Sequence, residues 1–293
     1  MEFVEAKSIL APRSEGDQWF GINYNMNIYR GCCHGCIYCD SRSDCYHVED
    51  FDRVRSKKDV LGILRRELST KRKTGIVGNG AMSDPYNPFE KEYRLTRGSL
   101  ELILSAGFGA EVMTKSALVE RDLDIFHEIS KYAPAVVNMS IISTDDDLAK
   151  KIEPNASVFS ERFAALEKAA SMGITTGILL VPILPLITDN AENILSVVRR
   201  AAECRVKYIY AGGLTLRINQ RDYYFDRLDE LFPGYKDEYI RRYGESYSCP
   251  PPQARELYTI FQKECGRLGL VCRMRDIIRI INERYSQEQL SIF

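Results

Sequence analysis

The sequence predicts an α/β fold built on a parallel sheet, and three observations carry that reading. Apolar, β-rich runs recur near residues 24–30, 75–80, 110–114, 135–142, 174–183 and 207–213. Between them lie segments with apolar residues three and four apart, such as Phe163, Leu166 and Ala170, or Ile194, Val197, Val198 and Ala201, which is helical spacing. Six strand–helix units at this interval pair their strands parallel and cover the outside of the sheet with helices. In parallel α/β barrels the loops after the strands gather at one face and build the active site there.

Taken in order, the strand ends carry distinctive residues. After the first strand, Tyr29-Arg-Gly-Cys-Cys-His-Gly-Cys-Ile-Tyr-Cys39 spaces Cys32, Cys36 and Cys39 as C-x3-C-x2-C. Three thiolates at that spacing can hold three irons of a 4Fe-4S cube and leave the fourth open to an outside ligand, whereas a closed electron carrier uses four cysteines. A zinc site is the minor alternative, completed by Cys33, His34, Cys45 or His47. A disulfide framework fits poorly, because nine cysteines is an odd count in a chain too large to need stapling. Scattered buried thiols fit worse, because Cys32, Cys33, Cys36 and Cys39 cluster beside Gly31 and Gly35, where the backbone can fold closely around a ligand. Gly78-Asn-Gly-Ala-Met-Ser-Asp-Pro-Tyr-Asn-Pro88 follows the second strand, Thr114-Lys115 ends the third, Ser140 the fourth and Pro182 to Pro185 the fifth. Five motifs at five equivalent edges point to one shared site.

With Tyr38 in its aromatic slot, the cysteine loop resembles that of the radical S-adenosylmethionine (SAM) enzymes, and more closely the branch containing spore photoproduct lyase. The resemblance runs through most of the chain. It includes Glu90, Leu95-Thr-Arg97, Thr114-Lys-Ser116, Arg121-Asp122, the strand ending in Ser140, Glu153-Pro154, and Pro182-Ile-Leu-Pro185 with Asp189. It implies a partial (β/α)6 TIM-type barrel, here over residues 1–215. After about 215 the chain becomes rich in Tyr, Arg and Asp and then helical, so 216–288 read as a helical C-terminal extension packed on the barrel. The resemblance also implies a 4Fe-4S cluster on Cys32, Cys36 and Cys39, an external electron donor, and cleavage of SAM to methionine and a 5′-deoxyadenosyl radical. The Gly78-Asn79-Gly80 turn would then meet the methionyl ammonium, with Ser83 or Asp84 as polar partners. Lys115 would pair with the carboxylate and Ser140 with the same end of SAM, while Tyr38 and the Val181 to Leu184 edge flank the adenine.

Two departures bear on the reaction. Spore photoproduct lyases carry a hydrogen-returning cysteine two residues before the Ser-Asp that aligns with Ser83-Asp84, and a tyrosine directly after the third cluster cysteine. Here Ala81 and Asp40 hold those positions. Thymine-dimer reversal by that route is therefore not expected, and Cys33, Cys45 and Tyr86 are the candidates to substitute.

Composition bounds the rest. A chain of 293 residues that is 45% hydrophobic and 28% charged supports one large domain with a substantial core. A net charge of −1 does not advertise an electrostatic hold on phosphate. Lys57-Lys58, Arg65-Arg66, Lys71-Arg-Lys73 and the Arg273, Arg275, Arg279 group read as solvated helix faces. No apolar run approaches the roughly 20 residues needed to cross a bilayer, and Met-Glu-Phe-Val-Glu-Ala-Lys lacks a secretory pattern, so a cytoplasmic enzyme without membrane contact is expected. The last residues, 289–293, read Gln289-Leu-Ser-Ile-Phe293 and resemble the bacterial sliding-clamp-binding peptide. Leu290 with Ile292 and Phe293 would be the apolar anchors, and Gln289 the backbone hydrogen-bonding group. The other reading tucks Phe293 against the chain's own barrel.

Three functions are consistent with these residues. The leading one is a radical SAM enzyme acting on nucleic acid, damaged DNA above all. The second keeps the radical chemistry on a peptide, tRNA or small molecule. The third is a non-catalytic metal-binding module that senses redox state or binds partners.

Overall fold

Six strands run parallel and pair in chain order: β1 (Tyr24–Met26), β2 (Ile76–Asn79), β3 (Gly109–Thr114), β4 (Ala135–Ser140), β5 (Thr175–Ile183) and β6 (Tyr208–Thr215). The computed structural model describes residues 1–13 and 19–290, the last seven of these by backbone alone. The helices α1 (Val60–Ser69), α2 (Leu95–Ser105), α3 (Leu123–Ile129), α4 (Phe159–Ser171) and α5 (Ala191–Glu203) follow the first five strands in turn. The spacing that predicted them also predicts their buried faces. Phe163 and Leu166 on α4, and Ile194, Val197, Val198 and Ala201 on α5, are almost fully excluded from water. The Asn190 side chain accepts the Asn193 N–H and caps the start of α5.

The sheet stays open. Antiparallel strands flank it, Leu10–Pro12 against β1 and Ser248–Cys249 against β6, and β1 does not pair with β6. Short helical segments at Glu90–Tyr93 and Asp146–Ile152 precede α2 and α4, and after β6 come α6 (Ile218–Leu231), α7 (Tyr235–Tyr243), α8 (Ala254–Arg267) and α9 (Met274–Leu290). Helix α8 packs on α5. Ile277 and Ile281 of α9 reach inside the curved sheet, where they join Phe20, Ile22, Ile76, Val136, Leu179 and Tyr208 in an inner apolar cluster. No helix among the described residues is long and apolar enough to cross a membrane.

A polar belt interrupts the interior. Asn138 Nδ2 donates to Glu111 Oε1 at 2.7 Å and Tyr208 Oη donates to Asn138 Oδ1 at 2.7 Å. Burial pushes the Glu111 carboxyl up to about 7, against the opposing hydrogen bond from Asn138.

The predicted first strand divides. Residues 24–26 belong to the barrel, but Asn27 N donates to Ile9 O and Ile28 O accepts from Lys57 N. The chain thereby leaves the barrel, and Tyr29–Arg30 pairs antiparallel with Arg55–Lys57 in a separate small sheet completed by Glu2–Val4. One continuous apolar pattern thus serves two sheets. The cysteine loop springs from the second of them, above the open end of the barrel.

Candidate active site

The cysteine loop is held mainly by its backbone. Cys32 N donates to Phe51 O at 2.8 Å, Ile37 N to Ile152 O at 3.0 Å, and Asn155 N to His34 O at 3.1 Å. Cys32, Cys36 and Cys39 line one cavity of about 390 Å³ at the C-terminal ends of the strands. Burial raises the pKa of all three thiols, Cys32 to about 12, and Asp84 adds to the effect at Cys32. Bare thiols in this setting keep their protons, and a bound cationic centre replaces them. Among the described residues no three His, Cys, Asp or Glu side chains are placed to hold a single metal ion. A cluster that spreads its irons over a cube needs one thiolate at each of three corners, and three thiols around a shared cavity suit that donor set.

The other strand ends complete the wall. Gly80 follows β2 with φ +112°, and a Cβ there would lie 2.0 Å from Met113 O, so only glycine lets the backbone pass β3 at this point. Asp84 is committed to protein donors. Its Oδ1 accepts from Tyr86 N at 2.8 Å and Thr114 Oγ1 at 2.7 Å, and its Oδ2 accepts from Lys115 N at 2.8 Å and lies 3.4 Å from His34 Nδ1. Burial, partly offset by Asp84, depresses the His34 pKa and keeps the ring neutral. Ser83 Oγ donates to Gly31 O. Lys115 stands at the end of β3 with its Nζ 5.8 Å from the centre of the Tyr38 ring. Burial opposes its charge, but neighbouring groups, the Glu153 carboxylate among them, more than compensate and raise its pKa. Ser140 closes β4 and is nearly buried.

Several residues that carry the family-like pattern lie behind the wall. Glu90 and Asp122, both fully buried, receive Arg121 Nη2 at 3.0 and 2.7 Å, and Arg97 Nη1 reaches Asp122 at 3.1 Å. Thr96 N donates to Glu90 Oε1 at 2.7 Å, while Thr96 Oγ1 donates to Pro85 O at 2.7 Å. This ionic knot anchors the loop that carries Ser83 and Asp84.

The profile of the radical SAM superfamily matches residues 26–201, well over half of the chain. This chain belongs to the radical SAM superfamily. It is an enzyme of that class by family and fold. An uncharacterised protein of Mycobacterium tuberculosis is 30% identical over 248 residues, covering 80% of this chain and 71% of the relative. An uncharacterised protein of Methanocaldococcus jannaschii is 32% identical over 171 residues, 58% of this chain and 63% of the relative. Spore photoproduct lyase, solved with bound AdoMet and a dinucleoside spore photoproduct, shares the fold. Its TM-score is 0.69 at 15% identity, covering 92% of this chain and 81% of that one.

The cavity of this radical SAM protein brings together Cys32, Cys36, Cys39, Tyr38, Gly80, Ser83, Asp84, Lys115 and Ser140, with Val181 and Pro182 opposite. Gly78 is not among the lining residues: it lies one step deeper in β2, where a Cβ would meet Ile22 Cδ1 at 2.6 Å. Cys33, Cys45 and Tyr86 do not line the cavity either, whereas Ala81 and Asp40 do. Gln289 and Leu290 end α9 by backbone alone, and Ile292 and Phe293 lie outside the described residues. Sequence reasoning missed Trp19, the chain's single tryptophan, which lines the cavity and makes an edge contact with Tyr210 at 5.2 Å. It sits before the first barrel strand, where no motif marks it. It also missed a role for His34 beyond zinc, although adjacency to the cysteines was the available signal.

Proposed function

We propose that this enzyme binds a 4Fe-4S cluster on Cys32, Cys36 and Cys39, with SAM in the adjoining cavity, and acts on nucleic acid. The observation that carries the cofactor reading is the convergence of three thiols, Cys36 buried and Cys32 and Cys39 partly so, with the Lys115 ammonium on one cavity. When bound, the cluster supplies the electron that splits SAM into methionine and a 5′-deoxyadenosyl radical able to take hydrogen from a substrate. Lys115 offers a fixed positive charge to the methionyl carboxylate, and Ser140 offers a hydroxyl to the same end. Backbone groups around Gly80 would meet the methionyl ammonium, with Ser83 beside them. The Tyr38 ring and the Val181-Pro182 edge would flank the adenine. Asp84 serves this arrangement by fixing the Lys115 backbone and the His34 ring rather than by offering a free carboxylate.

Features of the cavity mouth and of the tail favour nucleic acid. Arg217 lies 4.9 Å from the Tyr247 ring centre and 5.7 Å from that of Tyr46, and its Nε contacts Asp40 at 3.3 Å. Tyr247 is 49% exposed, so an unpaired base has an aromatic and guanidinium surface on which to stack. Gln289-Leu-Ser-Ile-Phe293 would bring the enzyme to a sliding clamp. The solved spore photoproduct lyase, alike in fold, holds a dinucleoside lesion. Ala81 lines this cavity without a thiol, so the reaction proposed differs from that lyase in how the product radical is quenched.

The test is anaerobic turnover of reduced, reconstituted enzyme with SAM and single-stranded or lesion-bearing oligonucleotides. Nucleic acid that stimulates 5′-deoxyadenosine release and acquires or loses label at carbon supports the reading. Stimulation by peptides alone would move the substrate to another class. Titration of a sliding clamp against the full chain and a version lacking Ile292-Phe293 checks recruitment, with tail-dependent binding in about the micromolar range expected.

A further inference from the structure

A fully buried ion pair connects the three parts of the site. Glu153 and Arg162 have side chains entirely out of water, and Arg162 Nη2 donates to Glu153 Oε2. The other Glu153 oxygen accepts from Tyr38 Oη, which places one end of the pair on the cysteine loop. Arg162 Nη1 donates to Ser140 O at 2.7 Å, fixing the end of β4, and its Nε donates to Ser157 O at 2.7 Å. Ser157 N in turn donates to Lys115 O at 3.2 Å. The same segment contributes Ile152 O to Ile37 N, at 3.0 Å, and Asn155 Nδ2 to Cys33 O, at 3.0 Å. The cysteine loop, Lys115 and Ser140 therefore share one brace.

Stability alone explains this pair poorly. Stripping water from two charges commonly costs as much as their attraction returns, and apolar replacements of similar volume are often no less stable. A pair that instead reaches every element of the site has positional and electrostatic consequences there. Its charges are also in balance. An arginine without its carboxylate this close to Cys36 favours any added negative charge at the thiol ring, and net local charge sets cluster potentials.

We propose that Glu153 and Arg162 are positioning residues that set the cysteine loop against Lys115 and Ser140 and hold the cluster's reduction potential low. The inference rests on the cofactor reading above. Its test is an EPR-monitored redox titration, with iron and sulfide analysis, of wild type, E153Q and E153Q/R162Q. Glu153→Gln keeps the shape but leaves Arg162 charged, so the potential is expected to rise. The double variant removes both charges and is expected to fall back toward wild type. A purely structural role would not produce that reversal. An unchanged potential in a fully loaded E153Q, or a double variant no lower than the single, would overturn the proposal.

Tyr38→Phe, which deletes only the hydroxyl reaching Glu153, provides a second arm. It should keep its iron yet bind SAM about tenfold more weakly, the scale of one hydrogen bond to a charged group; wild-type affinity would contradict the positioning half. If E153Q takes up no cluster, recovery in the double variant supports the brace, and failure in both beside an unaffected Y38F overturns it. A wild-type protein that takes up no iron and sulfide would instead refute the cofactor reading, and the brace with it.

Discussion

Glu111 lies within β3 and Lys115 directly after its end, four residues apart, and their environments work in opposite directions. At Lys115 neighbouring groups outweigh burial, so the ammonium persists beside the thiols. Lys115→Ala is therefore expected to raise the Kd for SAM about 10- to 100-fold, the range of a lost charge-assisted contact. Calorimetric titration measures this, and an unchanged Kd would remove Lys115 from the site. At Glu111 burial wins: the carboxyl titrates near 7 when folded against 4.5 unperturbed. The folded state then holds the extra proton, so stability falls as pH rises from 4.5 to about 7 and stays lower above it. Glu111→Gln should be more stable than wild type at pH 8, by up to about 3 kcal/mol, and no more stable below pH 4.5. Thermal melts across that window check the sign, and an E111Q protein weaker at pH 8 would contradict it. The cysteines were legible in sequence because their ligand geometry is local. Glu153 stood out only as part of the resemblance and Arg162 not at all, because the partners they join, such as Tyr38 and Glu153 at a separation of 115 residues, meet only through the fold.

The elements explain why motifs distant in sequence share one cavity. Parallel strands present all their C-terminal ends at one rim, so Gly80, Lys115, Ser140 and Pro182 converge there, and Cys39 joins them from the long connection between β1 and α1. Strand and helix positions were readable from periodicity, since each strand has an apolar run and each helix an apolar stripe. The division of the first strand was not, because both halves are apolar and only the Asn27 and Ile28 hydrogen bonds reveal the turn between sheets. Closure was not readable either, since it depends on which outer strands pair. The ionic knot of Glu90, Arg97, Arg121 and Asp122 shows a further limit: residues that mark the family here support a loop rather than touch the cavity. Removing Arg121 would leave two buried carboxylates short of a partner. Arg121→Ala is expected to lose about 3 kcal/mol of stability in urea unfolding, and a loss below about 0.5 kcal/mol would show that the knot contributes little.

At the scale of the whole molecule, the open barrel gathers its strand ends around one cavity, while Ile277 and Ile281 of α9 join the inner apolar cluster. Arg217, with Tyr46 and Tyr247 around it, stands against Asp40 of the cavity wall. Family and fold establish a radical SAM enzyme; nucleic acid as its substrate is the proposal that the Arg217 and Tyr247 surface and the tail sequence support. The central claim is that the three thiols hold a SAM-cleaving cluster, and one measurement tests it most directly. Wild type and Cys36→Ala are reconstituted without oxygen, assayed for iron and acid-labile sulfide, and incubated with dithionite and SAM. The account predicts about four irons and four sulfides per wild-type chain, with 5′-deoxyadenosine and methionine formed, and loss of both cluster and products in C36A. Zinc without sulfide in the wild type, or product formation that survives in C36A, would contradict it.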